Sequence, residues 1–338
     1  MTLSLDFLKQ KSYQVSASQT FINVIGFPVT ALLFNAQIEK MLEWAKTYQS
    51  KTVCVANVHM LMEAHWHQKF SAVLRSADMV TPDGMPLVWM MRLLGASQQN
   101  RVAGMDILLS LCKLAPQRNI SLFFLGSDPE TLERIRTRIR REFPDVQIAG
   151  MEPLPFRPLT QAEDDAIIQK VKESGAGIVL VSLGCPKQEY WMHQHKNKIP
   201  AVMIGLGGAF PVFAQLHKRA PLWIRDMGME WFYRLIQEPR RLWQRYFKTI
   251  PPFIWLALLQ LVDLKLNSLR DSTDEVISIP QSQLIKERLK RSVDRDRRVA
   301  QTRDLRTQKD TQTSTKTADN GIWQRTSATA VVENKATK

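Results

Sequence analysis

Cysteine is scarce: Cys54, Cys112 and Cys185 are three residues among 338, odd in number and widely spaced. No Cys-x-x-Cys pair is present, which excludes the common zinc and dithiol motifs and leaves no disulfide framework to read. A reducing compartment is the expectation. Long apolar runs are missing too. The uncharged apolar run over residues 250–262 has 13 residues and contains Pro251, Pro252 and Gln260, against the roughly 20 needed to cross a bilayer. No transmembrane helix is expected. Asp6 and Lys9 interrupt the N-terminal stretch and no small-residue cleavage site follows, so no export signal is expected either. Internal repeats are absent.

Four absences bear on chemistry. Gly205-x-Gly207 is completed by Phe210 rather than a third glycine, so the dinucleotide fingerprint fails, and no G-x-x-x-x-G-K-[ST] occurs. A nicotinamide-dependent oxidoreductase is therefore disfavoured. His65-x-His67 and His193-x-His195 would each sit about 200° apart on a helix, on opposing faces, so neither pair is read as a metal clamp. The only Asp-x-Asp is Asp294-Arg295-Asp296, near the C-terminus. No metal site and no cofactor are expected.

What the chain does contain is basic charge, unevenly spread. Lys and Arg number 46 against 32 Asp and Glu, a net of +14, which favours anionic partners. Residues 1–217 carry only +4 of this, whereas residues 218–270 carry +6 and hold four of the nine tryptophans. Residues 271–338 are rich in Thr, Gln and Ser, with one aromatic, and read as a disordered tail. The reading is an extension over 1–20, a core over 21–217, a basic Trp-rich appendage over 218–270 and a tail over 271–338. A nucleic-acid-binding role would rest on that tail, but its aspartates alternate with its arginines and no aromatics are interleaved, so no nucleic-acid partner is expected.

Within the core, β-rich runs alternate with amphipathic stretches: Thr52–Val58, Met79–Pro82, Ser121–Leu125, Val146–Ala149, Gly177–Leu183 and Ala201–Ile204. Several are continuous apolar blocks, as expected when helices cover both faces of a parallel sheet. Asp128-Pro129 starts a helix through Arg141, and Thr160 with Glu163 makes a capping box for one through Glu173. The fold class is α/β, a Rossmann-like parallel sheet with helices on both faces, plus a C-terminal helical appendage. Its ligand belongs beyond the carboxyl ends of the strands.

Those ends carry Asn57-Val58-His59, Pro82-Asp83-Gly84, Gly126-Ser127, Gly184 to Glu189 and Gly205 to Phe210. Glycines there either turn strand into helix or let backbone approach a phosphate or sugar. Asp83, between Pro82 and Gly84, reads either as a turn residue or as a carboxylate held for general-base work. Arg101 reads as a phosphate ligand, an orienter of Asp83 or a surface ion pair. Arg234, Arg241 and Arg245 recur at helical spacing, a stripe suited to a diphosphate, although Pro239 must kink or interrupt it. Trp231, Leu235, Leu242 and Tyr246 lead into the aromatic-rich residues 253–259, which read as a core-docking helix or an amphipath in a membrane interface.

The ordered series Asn57-Val58-His59, residues 77–86, Arg101 to Gly104, Phe124 to Gly126, Gly184 to Glu189, Gly205 to Phe210, Arg219-Ala220-Pro221 and Glu230-Trp231 through Arg245 resembles the WecG/TagA/CpsF family of bacterial glycosyltransferases, over about residues 20–260. The resemblance implies an inverting, metal-independent enzyme that moves a sugar, typically N-acetylmannosamine, from a UDP-sugar onto undecaprenyl-diphosphate-linked GlcNAc for cell-surface polysaccharide. Relatives that use glucose or N-acetylmannosamine uronate are the alternatives. The partners implied are the UDP-sugar donor, the polyprenyl-diphosphate-linked acceptor and an anionic inner-membrane surface, with the enzyme peripheral on its cytoplasmic side. By position, Asp83 would be the general base, Asn57 and Arg101 would line its pocket, and Gln188 would contact the nucleotide. Arg234, Arg241 and Arg245 would face a diphosphate. Val55 stands where many members have Thr, which removes a hydroxyl from the donor pocket.

Overall fold

The computed structural model describes residues 21–277 apart from Phe156, with side chains to Asn267. In chain order the elements begin with β1 (Phe21–Val24), β2 (Phe27–Thr30), α1 (Phe34–Lys46), β3 (Lys51–Ala56), α2 (Val58–Trp66), α3 (Gln68–Arg75), β4 (Met79–Pro82), α4 (Met85–Leu93) and α5 (Gly104–Leu114). They continue with β5 (Leu122–Gly126), α6 (Pro129–Glu142), β6 (Ile148–Glu152), α7 (Gln161–Glu173), β7 (Ile178–Ser182), α8 (Lys187–His195), β8 (Val202–Gly205), α9 (Phe210–Phe213), α10 (Leu222–Asp226), α11 (Glu230–Gln237) and α12 (Pro239–Ile277). Compactness divides the chain into two units, Met1–Lys265 and Leu266–Lys338.

Six strands form one parallel sheet in the order β4-β3-β8-β7-β5-β6. Alternation along each strand builds two cores, one per face. Leu122 and Phe124 of β5 join Ile178 and Leu180 of β7 on one side, with Ile38, Leu108, Ile135 and Phe210 from the covering helices. Phe123 and Leu125 join Val179 and Val181 on the other, with Met60, Leu61, Phe70 and Leu87. Burial on both faces explains why these strands read as unbroken apolar runs.

The caps act as the sequence predicts. Asp128 accepts a hydrogen bond from the Thr131 N–H at 2.8 Å, and Thr160 with Glu163 forms a reciprocal capping box. Val58 is an exception: it opens α2 rather than closing β3, because the Asn57 side chain caps that helix. The β1–β2 hairpin was not anticipated. Its turn places Ile25 and Gly26 at φ 44° and 87°, a pair of left-handed residues that a sequence rich in Val, Ile and Phe does not advertise.

α12 departs furthest from expectation. Pro251 and Pro252 lie inside it without ending it, and it continues to Ile277, seven residues into the segment read as an unstructured tail. The rest of that segment, and the extension over 1–20, lie outside the described residues. Because the helix is continuous, Pro239–Asn267 is long and apolar enough to cross a membrane by length and composition. The 13-residue run is thus only part of a longer apolar helix. One face of this helix nevertheless packs on the body: Leu242, Thr249 and Phe253 are buried, and Leu256 and Leu261 pack against the core. Gln260 accepts from the Ile25 N–H at 2.7 Å and donates to the Asn23 carbonyl at 2.7 Å, tying α12 to the hairpin.

Candidate active site

The chain leaves β3 for β4 on one side of the sheet, while β8, β7, β5 and β6 lie on the other, so β3 and β8 flank the point where strand order reverses. A crevice opens there beyond the strand carboxyl ends, as doubly wound sheets require. It is a cleft of about 860 Å³, lined by the segments following all six strands and roofed by residues of α11 and α12.

Asp83 enters this cleft from the end of β4. Its backbone is fixed on both sides: its N–H donates to the Ala56 carbonyl at 2.8 Å, and the Val102 N–H donates to the Pro82 carbonyl at 2.9 Å. A proline before it and two backbone hydrogen bonds around it leave its backbone little freedom. Burial pushes its pKa up to about 6, with Arg101 and Arg234 pulling down and Glu230 and Asp106 pushing up.

Asn57 and Gln188 reach the same cleft, each with part of its hydrogen bonding already engaged. The Asn57 Oδ1 accepts from the Met60 N–H at 3.1 Å, so the side chain caps α2 and is oriented by doing so. Gln188, buried in the first turn of α8, accepts from the Gly207 N–H at 3.1 Å and donates to Glu189 Oε1 at 2.7 Å. This revises the reading of the glycines at 205 and 207. A Cβ on either would lie 2.8 Å or 2.7 Å from the Gln188 amide, so they make room for that side chain. Glu189 is 1% exposed and its pKa is pushed up to about 7, chiefly by burial.

The cations converge from two helices. α11 ends at Gln237 and Pro239 begins α12, so the stripe is interrupted, yet Arg234, Arg241 and Arg245 all line the cleft. Glu238 pairs with Arg241 at 2.8 Å. Burial lowers the pKa of Arg245, and the charges of Arg241 and Arg234 lower it further. Three guanidinium groups sharing a partly desolvated cleft make it electrostatically suited to a polyanion. His59, beside them, is pulled down to about 4 by burial and by Arg245, and stays neutral. Among the described residues no group of three or more His, Cys, Asp or Glu is placed to hold a metal ion.

Arg101 is the expected site residue that does not line the cleft. Its guanidinium lies 2.7 Å from Glu230 and 3.9 Å from Asp106, and Asp106 in turn pairs with Arg219. Glu230, Glu189 and His59 were given no role from the sequence. Each is an isolated residue whose partners are distant in the chain or whose burial is not visible in its neighbours.

The sequence profile of the Glycosyl transferase WecG/TagA/CpsF family matches residues 22–267. The chain belongs to this family. Similar members include the N-acetylglucosaminyldiphosphoundecaprenol N-acetyl-beta-D-mannosaminyltransferase of Bacillus spizizenii, 35% identical over 207 residues, 61% of this chain and 78% of the relative. The protein of the same name from Bacillus subtilis is 32% identical over 208 residues, with the same shares. The family profile thus spans both the sheet of this WecG/TagA/CpsF glycosyltransferase and the helices that roof the cleft.

Proposed function

We propose that the enzyme transfers N-acetylmannosamine from a UDP-sugar to GlcNAc-diphospho-undecaprenol, with inversion and without a metal ion, at the cytoplasmic membrane surface. The observation that carries this reading is the meeting, in one cleft, of the Asp83 carboxylate at the end of β4 with three arginines from the appendage. The names of the Bacillus relatives support the choice of sugar and acceptor.

In this reaction the Asp83 carboxylate takes the proton of the acceptor hydroxyl. The hydroxyl oxygen bonds to the anomeric carbon from the face opposite the nucleotide, and the bond from that carbon to the diphosphate oxygen breaks, with UDP leaving on the electron pair. Arg234, Arg241 and Arg245 stabilise the charge that develops on UDP or hold the acceptor diphosphate. Gln188 and Asn57 position the donor. Arg101 acts from behind the cleft, on Asp83 rather than on substrate. The exposed face of α12, with Trp243, Phe247, Ile254, Trp255, Leu258 and Val262, lies in the lipid interface. A surface position suits this helix better than a span, since its opposite face is already buried on the body.

Purified protein given a panel of UDP-sugars and a short-chain diphospholipid acceptor, with and without EDTA, tests the whole proposal. UDP-N-acetylmannosamine should be used and EDTA tolerated. Preference for UDP-glucose or the uronate would reassign the donor, and Asp83→Asn should lower turnover by about 10²-fold or more while UDP still binds.

A further inference from the structure

The charged or titratable groups that act on Asp83 come from three neighbouring parts of the chain: Arg101 in the loop before α5 with Asp106 on α5, Glu230 and Arg234 on α11, and Tyr246 on α12. Of the nearby cations, Arg101 lowers the Asp83 pKa most. Yet its ion-pair partners among the described residues are Glu230, at 2.7 Å, and Asp106, at 3.9 Å. Glu230 opens α11 and so belongs to the appendage rather than the sheet domain. Arg219 and Arg225, also from the appendage, pair with Asp106 and close the network around Arg101.

We propose that Glu230 is a positioning residue for the base: by holding the Arg101 guanidinium it keeps that cation from pairing with Asp83, which is a competent base only while α11 is docked. The inference rests on the reading of Asp83 as the base. A carboxylate in an ion pair with arginine is a weak proton acceptor, whereas one repelled by a second carboxylate is a better one. Glu230 therefore acts twice, by occupying Arg101 and by its own charge, and both actions have the same sign. Docking of the appendage would then both deliver arginines to the diphosphate and switch on the base. An undocked enzyme would be left with Asp83 and Arg101 paired.

The test is the acid limb of kcat/KM against pH, measured on the full chain with UDP-N-acetylmannosamine and the short-chain acceptor. For Glu230→Gln the limb should move to lower pH by about one unit, and the plateau should fall by about tenfold because the base is weaker. Arg101→Ala should move the limb the opposite way, and Glu230→Asp, which keeps the charge, should stay near the wild-type limb. Loss of structure does not displace the limb in opposite directions for the two partners of one ion pair. A Glu230→Gln limb superimposed on wild type, or displaced in the same direction as Arg101→Ala, overturns the proposal. If Glu230→Gln does not fold, Asp106→Asn carries the same prediction, since Asp106 also holds Arg101 and repels Asp83. Asp83→Asn separates the two readings. If it stays active, Asp83 is not the base and this inference goes with it; if it is inactive while Glu230→Gln keeps the wild-type limb, only the role of Glu230 is lost.

Discussion

A carboxylate that takes a proton from a sugar hydroxyl near neutral pH works best when it is more basic than an ordinary aspartate, and burial moves Asp83 in that direction, to about 6. Activity should accordingly fall as pH drops through about 6, and the limb should disappear in Asp83→Asn, whose residual rate should be flat between pH 5 and pH 8 by steady-state assay. Glu189 supplies a second, independent dependence on pH, this time in stability. Its pKa rises from 4.5 to about 7 on folding, so between those values the native state holds a proton that the unfolded chain has released. Stability should thus be greatest at the acid end of that window and decline as pH rises towards 7, with Asp83 contributing the same sign at lower pH. Glu189→Gln removes the ionisable group and keeps an acceptor for Gln188. We expect it to flatten the decline and to raise stability at pH 8 by roughly 2 kcal/mol, read from urea midpoints. A steeper decline than wild type would contradict the assignment.

At the level of elements, the loop after β8 and the first turn of α8 are built around one another. Gly207→Ala would place a Cβ 2.7 Å from the Gln188 Oε1 and 3.1 Å from the Gly184 N, and neither backbone can retreat far. Displacement of Gln188 should weaken UDP binding by about tenfold, the cost of roughly one hydrogen bond, measured by calorimetry. The attachment of α12 is a separate element-scale question. Gln260 serves both the Ile25 N–H and the Asn23 carbonyl, so Gln260→Ala should speed amide exchange in β1, β2 and the adjoining turns of α12 while leaving β5 and β7 protected.

For the molecule as a whole, α12 divides its two apolar faces between the protein and its surroundings. Leu242 and Phe253 are 2% and 4% exposed, whereas Trp243, Phe247 and Trp255 are 60% or more exposed. Deleting residues 218–270 would therefore uncover the core as well as remove the exposed aromatics, and would not isolate membrane binding. Replacing Trp243, Phe247 and Trp255 together with Glu isolates it. That variant should lose co-sedimentation with anionic vesicles while retaining its thermal transition and its transfer to a soluble short-chain acceptor. Undiminished vesicle binding would place the membrane contact elsewhere.

The amino-acid sequence by itself determined the alternation of strand and helix, the caps at Asp128 and Thr160, and the ordered residues at the strand ends, because apolar periodicity and capping are local and survive without a tertiary context. Asp83, Asn57 and Gln188 were legible for the same reason: a parallel sheet collects whatever follows its strands on one rim. Only the folded chain decided which cations reach that rim. Pro239 breaks the arginine spacing in sequence, and packing of α11 and α12 restores the convergence in space. It also drew Arg101 away from the cleft and onto Glu230, a pairing across 129 positions that no local pattern encodes, since opposite charges find one another through whichever surfaces the core brings together.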